Sequence, residues 1–327
     1  MKLRTKVILA ATFVVLLTAC ESVHAQTLSY PSKQVRLIVP TAPAGVTDNI
    51  GRLLAQKLTE QMGQTVVVEN RPGANGNIAA EAVAKSAPDG YTVFIGTIGV
   101  MSINPFVYKQ VGYDPVRDFA PISQLVLFSN VLVTHPSLPV TTLAELISHA
   151  KARPGKLSYS SSGSGGSPHM AMALFLNMAG LDIPHIPYKG SAPAIADLLS
   201  GQVQLAFGDP IVTIPHVRAG RLRALAVSGA SRIEIAPEIP TVAEAGLPGY
   251  VVQGWLSLVG PAGMAPEIVR RINAEVLKAF ADPGIRETLR RLGATPDAGS
   301  PEVLREYIAQ EIRKWSTLVR AEKITAQ

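Results

Sequence analysis

The chain has 327 residues, 47% hydrophobic and 17% charged, which is enough for two ordinary domains and too apolar for a disordered protein. Its formal net charge of +6 is scattered, without a run of Lys or Arg, and this argues against nucleic acid as a partner. A single cysteine, Cys20, excludes an intrachain disulfide, and the six His residues show no metal-ligand spacing, so neither a metal nor another cofactor is expected.

Residues 1–25 carry a basic start (Lys2, Arg4, Lys6), an apolar run over 7–17 and then small residues, the pattern of a secretory signal peptide. Its removal leaves 27 basic and 23 acidic residues, a net charge of +4, mildly favourable to an anionic solute. Two processing sites compete. Leu17-Thr18-Ala19-Cys20 has the form of a bacterial lipobox, which would make Cys20 a lipidated N-terminus. Val23-His24-Ala25 has the form of an ordinary cleavage site before Gln26. Either places the protein in the periplasm, soluble or lipid-anchored through Cys20.

The apolar run 35–39 predicts a buried strand, and 49–62 a helix stopped by Gly63. Between them, Pro40-Thr41-Ala42-Pro43-Ala44-Gly45-Val46-Thr47-Asp48 forms a tight loop opening onto a helix start. The first N–H groups of a helix lack internal partners and its dipole is positive there, so small flanking residues let an anion approach. Next come a strand at 65–69, a turn-rich loop at 70–77, a helix at 78–85, and a strand at 91–95 running into Gly96-Thr97-Ile98-Gly99. Residues 101–120 read as irregular, and 121–134 as one long strand. A helix at 143–152 begins with a Thr142/Glu145 capping box. A strand at 156–160 leads through Ser160-Ser161-Ser162-Gly163-Ser164-Gly165-Gly166-Ser167-Pro168-His169 into a helix at 168–178. A short strand (185–188), Lys189-Gly190-Ser191, a helix (192–199), a strand (203–207), Gly208-Asp209-Pro210, a helix (211–219) and a strand (222–227) follow. The apolar strand 251–258 contains Trp255, and helices at 266–281, 285–292 and 301–321 end the chain.

This alternation predicts an α/β protein with largely parallel sheets, divided into one lobe of 27–125 plus 250–327 and another of 126–249. Ligands of such sheets bind beyond the carboxyl ends of the strands, where the loops at 43–48, 96–99, 160–169 and 208–210 fall. Two loops facing each other across a hinged pair of lobes would hold a small anion. The candidate contacts are Ala44, Gly45, Thr47, Asp48, Thr97, Ser162, Gly163, Ser164, Gly166, Ser167, His169, Lys189 and Asp209. Each has a plainer reading. Asp48 and Asp209 suit helix capping, Thr97 suits a loop, and Lys189 a solvated surface. The serine loop suits a flexible linker, and His169 is either a cation for a carboxylate or a satisfied structural imidazole. Trp255 reads as core before ligand stacking. Ser164 has Ser162, not glycine, two residues before it and so fails the nucleophile-elbow pattern, which makes an enzyme unexpected.

An ordered series of motifs carries a family resemblance over the whole mature chain. It comprises Tyr30-Pro31-Ser32, Ile38-Val39-Pro40 with Pro43 to Asp48, Glu69-Asn70-Arg71-Pro72-Gly73-Ala74-Asn75-Gly76, Pro88-Asp89-Gly90-Tyr91-Thr92, Tyr188-Lys189-Gly190, Asp197-Leu198-Leu199 with Gly201 and Val203, and Ile239-Pro240-Thr241-Val242 with Glu244 and Gly246. The chain resembles the Bordetella uptake gene (Bug) family, extracytoplasmic solute receptors of tripartite tricarboxylate transporters. The resemblance implies a two-lobed, type II periplasmic-binding-protein (Venus flytrap) fold with the ligand between the lobes. It also implies a small-carboxylate ligand, integral-membrane transporter subunits as partners, and a monomer. In the family, main-chain amides and waters of two facing loops hold a carboxylate, and those loops map to 43–48 and 160–169. The family usually reads Pro-Phe-x-Pro-Gly-Gly-x-x-Asp; here Thr41 stands for the Phe and Ala44 for the first Gly. Ala44 thus places a methyl where a positive φ is expected. The alternatives carried forward are a ligand-loaded sensory partner of a membrane kinase and, far less, a secreted hydrolase built on Ser164 and His169.

Overall fold

The computed structural model describes residues 30–321, 324 and 325. The signal segment, Cys20 and both processing sites lie outside the described residues. A compact unit beginning at Lys33 contains all the sheet structure given below.

Two mixed sheets organise this unit. The first half of the chain supplies β1 (Val35–Val39), α1 (Val46–Met62), β2 (Val66–Asn70), α2 (Asn77–Ala84), β3 (Thr92–Thr97), α3 (Asn104–Val107), β4 (Phe119–Phe128) and β5 (Val131–Thr134). Then come α4 (Leu143–Ala152), β6 (Tyr159–Ser161), α5 (Ser167–Ala179), β7 (His185–Pro187), α6 (Ser191–Leu199), β8 (Leu205–Gly208), α7 (Pro210–Arg218) and β9 (Arg223–Val227). The end of the chain supplies β10 (Gly254–Pro261), α8 (Pro266–Ala281), α9 (Pro283–Arg291), β11 (Ala294–Pro296) and α10 (Pro301–Ala321). The first sheet has the order β11-β4-β10-β3-β1-β2 and the second β7-β6-β8-β5-β9.

The sheets are not largely parallel as expected. β1 pairs in parallel with β2 and β3, and β6 with β7 and β8, but β10, β4, β11, β5 and β9 all enter antiparallel. The run 121–134 is also two strands in different sheets. β4 stays paired with β10 as far as Phe128, with register shifts at Leu256/Ser257 and Leu258/Val259, so the expected boundary between 125 and 126 falls inside a strand. The chain then crosses at Ser129 and Asn130 and returns between β9 and β10. The two crossings bond to each other: Asn130 N–H donates to Ser228 Oγ (2.9 Å), and the N–H groups of Ser228 and Val252 donate to the carbonyls of Asn130 and Ser228. Residues 101–120 hold a helical turn at Gly99–Ile103 and α3, both buried and therefore without the one-sided pattern that would have exposed them in the sequence.

β10 is buried along its whole length because it lies between β3 and β4 with helices over it. α1 buries Val46, Ile50, Leu54 and Leu58, a stripe at helical spacing, and ends where Gly63 turns left-handed at φ +68. The C-terminal helices return to the first sheet as expected: α8 packs on β4 and α1, and α10 on β4 and the 99–103 turn. α10 is pinned by one carboxylate. Glu311 Oε2 accepts from Trp255 Nε1 (3.0 Å) and Trp315 Nε1 (2.8 Å), and both indoles are fully buried. Trp255 is accordingly core.

Removing that acceptor strands two buried donors. Glu311→Leu should cost about 3 kcal/mol, at roughly 1–3 kcal/mol per unsatisfied group, whereas Glu311→Gln, which keeps one acceptor oxygen, should lose less. Urea unfolding within 1 kcal/mol of wild type for Glu311→Leu would show that the carboxylate does not anchor α10.

Candidate ligand-binding site

Four strand-to-helix loops converge at the carboxyl ends of β1, β6, β7 and β8, and none of the helices that follow is capped by a side chain. α1 has Gly45 as N-cap, α5 has Gly166, α6 has Gly190, and α7 has Asp209, whose side chain makes no cap bond. α4 contrasts with them. It starts at the opposite end of the second sheet, after antiparallel β5, and is closed by the Thr142/Glu145 capping box anticipated from the sequence. First-turn N–H groups that no side chain caps are thus open to another acceptor at the end where the loops meet, although in α7 Val212 N–H already donates to the Asp209 carbonyl.

The first loop takes its shape from Asp48. The helix begins at Val46, so Asp48 is its third residue and not its N-cap. The side chain is 2% exposed and reaches back: Oδ2 accepts from Ala44 N–H and Arg52 Nε, each at 3.0 Å, and Oδ1 from Asn70 Nδ2 at 2.8 Å. Burial opposes its charge, but bonds from Arg52, Ala44 and Asn70 prevail and hold the carboxyl below its usual range. Both oxygens and the Ala44 amide are therefore used within the loop. Ala44 sits at φ +71, the conformation anticipated for the residue in the glycine's place. Gly45 itself is extended (φ −84), and a Cβ there would meet nothing within 4 Å. Its value is open space beside the backbone, not conformational freedom. Thr47 is the second helical residue and half-buried. The hydroxyl of Thr41, at the root of the loop, is buried without a partner.

The second loop lies over three stacked rings. His169 stacks on His185 (centroids 4.1 Å) and His185 on Tyr159 (4.7 Å). Gly165 N–H donates to His169 Nδ1 at 2.9 Å, so that nitrogen is unprotonated, and burial with the neighbouring His185 pushes the imidazole down to about 3. Burial likewise takes His185 to about 4, and its Nε2 lies 2.7 Å from Ser161 Oγ. Of the two readings of His169, the geometry fits the structural, neutral histidine, and its ring lines a cavity of about 270 Å³ with Tyr159, Leu181, His185 and Ile324. Ser161 Oγ also bonds the amide and carbonyl of Gly163, which stands at φ +142. The loop is a built turn, not a flexible linker. Ser162, Gly163, Ser164 and Gly166 remain partly exposed, and Ser167 is buried at the start of α5.

The structure brings Ser162, Lys189 and Asp209 into one chain of contacts. Gly190 N–H donates to the Ser162 carbonyl, and Ser191 Oγ donates to Asp209 Oδ2 at 2.6 Å. Asn130 Nδ2 approaches Asp209 Oδ1 at 3.3 Å, while Asn130 Oδ1 is buried without a partner. Burial raises the Asp209 pKa, with the Ser191 and Asn130 bonds opposing it. Lys189 is exposed on the loop between β7 and α6. Thr97 accepts from Val100 N–H at 3.3 Å, the bond of an ordinary loop residue.

Sequence reasoning does not single out the residues that join the loops. A methyl on Gly165 would come within 2.9 Å of Asn104 Oδ1 and 3.2 Å of Asn75 Nδ2, and one on Gly99 within 3.3 Å of Gly165 O. Tyr108 Oη donates to Ser164 O at 3.3 Å. Gly76, beside Asn75, packs on Pro40 at the root of the first loop. The clue lay in Ala74-Asn75-Gly76, three consecutive residues with positive φ in a stretch that reads as a plain turn. Among the described residues no metal-ligating cluster occurs, and no helix is long and apolar enough to cross a membrane.

With this geometry, similarity to known proteins is specific. Residues 50–324 match the family described as Tripartite tricarboxylate transporter family receptor. The chain belongs to that family. Protein BugT of Bordetella pertussis is 37% identical over 293 residues, 89% of this chain and 90% of BugT. An R. palustris protein solved with adipate is 40% identical with a TM-score of 0.87, covering 90% of this chain and 99% of that one. MatC from Rhodopseudomonas palustris with bound malate is 30% identical with a TM-score of 0.82, covering 89% and 100%. The receptor is therefore a Bug-type, two-lobed periplasmic-binding-protein fold.

The depressed basicity of His169 and His185 predicts a stability that falls in acid. Unfolded histidine takes up a proton below about pH 6.5, whereas folded His169 and His185 do so only near 3 and 4. The unfolded state binds more protons between those limits, so the contribution is complete above pH 6.5 and is lost as pH falls towards 3. The urea midpoint should drop between pH 7 and pH 4.5, and less steeply in His169→Asn; identical profiles would contradict the assignment.

Proposed function

We propose that this protein is an extracytoplasmic receptor that binds a small organic carboxylate between its lobes and delivers it to a tripartite tricarboxylate-type membrane transporter. The observation that carries this reading is the pair of uncapped helix starts, α1 at Gly45 and α5 at Gly166, each following a small-residue loop at the carboxyl end of a strand but in different sheets. Such ends attract anions through backbone N–H groups and the helix dipole. A carboxylate is the anion class favoured by the relatives whose complexes contain adipate and malate. In this reading Gly45, Thr47, Ser162, Ser164, Gly166 and Ser167 face the ligand through amides and hydroxyls, and Gly163, whose amide donates to Ser161 Oγ, shapes the turn. Ala44, Asp48 and His169 shape the loops, Lys189 supplies charge at the rim, and Asp209 meets a ligand hydroxyl or water. The lobes comprise residues 27–125 with 250–327 and 126–249, the first crossing displaced to Ser129, and the protein works as a monomer.

Nothing in the geometry favours the hydrolase alternative. His169 Nδ1 is engaged by Gly165, its basicity is strongly depressed, and Ser164 meets Tyr108 through its carbonyl.

A thermal-shift panel of mono-, di- and tricarboxylates with calorimetry tests the reading. At least one carboxylate should raise the midpoint by several degrees and bind one per chain; a protein that responds only to neutral or cationic solutes excludes it. Intact-mass measurement of exported protein decides the anchor. A diacylated chain beginning at Cys20 is the lipoprotein outcome, and one beginning at Gln26 the soluble outcome.

A further inference from the structure

The peptide unit joining Ser164 to Gly165 is held at both ends by different lobes. Its carbonyl accepts from Tyr108 Oη at 3.3 Å, and its N–H donates to His169 Nδ1 at 2.9 Å. Tyr108 follows α3 in the first lobe, and His169 lies in the first turn of α5 in the second. The contact between them is made on bare backbone. Gly165, at φ +82, has no room for a methyl against Asn104 Oδ1 at 2.9 Å and Asn75 Nδ2 at 3.2 Å.

The surface that Tyr108 shares is itself fixed by a buried polar network. Asn104, with no exposure, donates to Asn77 Oδ1 (2.7 Å) and Asn75 O (3.1 Å) and accepts from Asn75 Nδ2 (2.8 Å). Tyr113 Oη donates to Asn77 Oδ1 (2.8 Å) and lies 3.0 Å from Val100 O. Tyr108 N–H donates to the Asn104 carbonyl, which ties the tyrosine to the same network. Ala74 and Asn75 both stand at positive φ, 46° and 51°, a conformation that costs non-glycine residues and persists where the surroundings enforce it. The other side of the grip is equally constrained, since His169 is clamped in its stack with His185 and Tyr159.

We propose that Tyr108 and His169 are positioning residues that grip the peptide between Ser164 and Gly165 from opposite lobes, aiming the remaining amides of the 162–167 loop at a ligand carboxylate. This inference rests on the carboxylate-receptor reading above. With the lobes apart, the carbonyl end of the peptide is released and the loop loses one of its two fixed points. Lobe closure and amide orientation are therefore one event, and the Tyr108 hydroxyl contributes to the lifetime of the closed complex without touching the ligand.

Tyr108→Phe removes one oxygen and leaves the ring, so it separates positioning from folding. Calorimetry with adipate and with malate, stopped-flow dissociation, and hydrogen exchange at the Gly165 amide are measured on the mature chain. The expected result is a melting temperature of the unliganded protein within about 1 °C of wild type and a threefold to tenfold weaker affinity, the value of one net hydrogen bond. The loss should fall in the dissociation rate, with association unchanged, and Gly165 exchange should be several-fold faster. Affinity, dissociation and exchange all equal to wild type overturn the proposal. If wild type binds neither acid, those two acids are not its ligands, and the Gly165 exchange comparison alone decides the grip: faster in Tyr108→Phe supports it, unchanged rejects it.

Discussion

A single buried carboxylate holds the first half of the site in place. Asp48 draws together the Ala44 amide, Arg52 of its own helix and Asn70 at the end of β2. Burying that charge is costly unless its oxygens are fully bonded, and here each oxygen has a partner. The result is a loop whose one internal acidic group is spoken for, so that its remaining backbone N–H groups present an uncompensated positive edge. An unpaired carboxylate at the same position would repel an anionic ligand. Bonded inward, it organises the loop that attracts one.

The second half reaches the same end with neutral groups. Two imidazoles and a phenol stack beneath the serine loop, and burial keeps both imidazoles uncharged. The loop above them is fixed by Ser161 at Gly163 and by His169 at Gly165. In both halves side chains hold the backbone in shape, which in the proposed function leaves the backbone to meet the ligand. Under the proposed function, backbone donors would recognise a carboxylate group and be indifferent to what carries it, in keeping with similar proteins solved with adipate and with malate. Discrimination between acids then falls to the positions around the donors. In this chain Thr41, at the root of the first loop, holds a buried hydroxyl without a partner.

The sheets supply the rigidity that these loops need. One buried cluster runs from Ile38 and Phe94 in the first sheet through Ile98 and Val100 to Met170 and Phe175 of α5 and Phe207 of β8. The crossings at Asn130 and Ser228 bond to each other, so the chain passes between sheets as a paired ribbon. Glu311 fastens α10 to β10 beneath the first sheet through two indoles. Loops without regular structure are thus mounted on elements that have little freedom to shift.

The sequence by itself determined the class of fold, the order of nearly every element and the place of both loops. Hydrophobic periodicity marks amphipathic helices such as α1 and α8, a left-handed glycine marks the end of α1, and small residues between a strand and a helix mark an anion-accessible loop. It also carried the family, because an ordered series of turn motifs is more specific than any one of them. It could not divide 121–134, since both β4 and β5 are buried and an apolar run has no period that distinguishes one strand from two. Nor could it show that β10 returns antiparallel, because strand direction depends on which sheet a distant segment joins. The roles of Asp48, His169 and Tyr108 were decided only by tertiary structure. Asp48 turned inward because the helix starts at Val46, His169 lost its charge through burial against His185, and Tyr108 met Ser164 across 56 residues of chain. Each of these depends on a partner remote in sequence or on exclusion of water, and neither is written in the local order of residues.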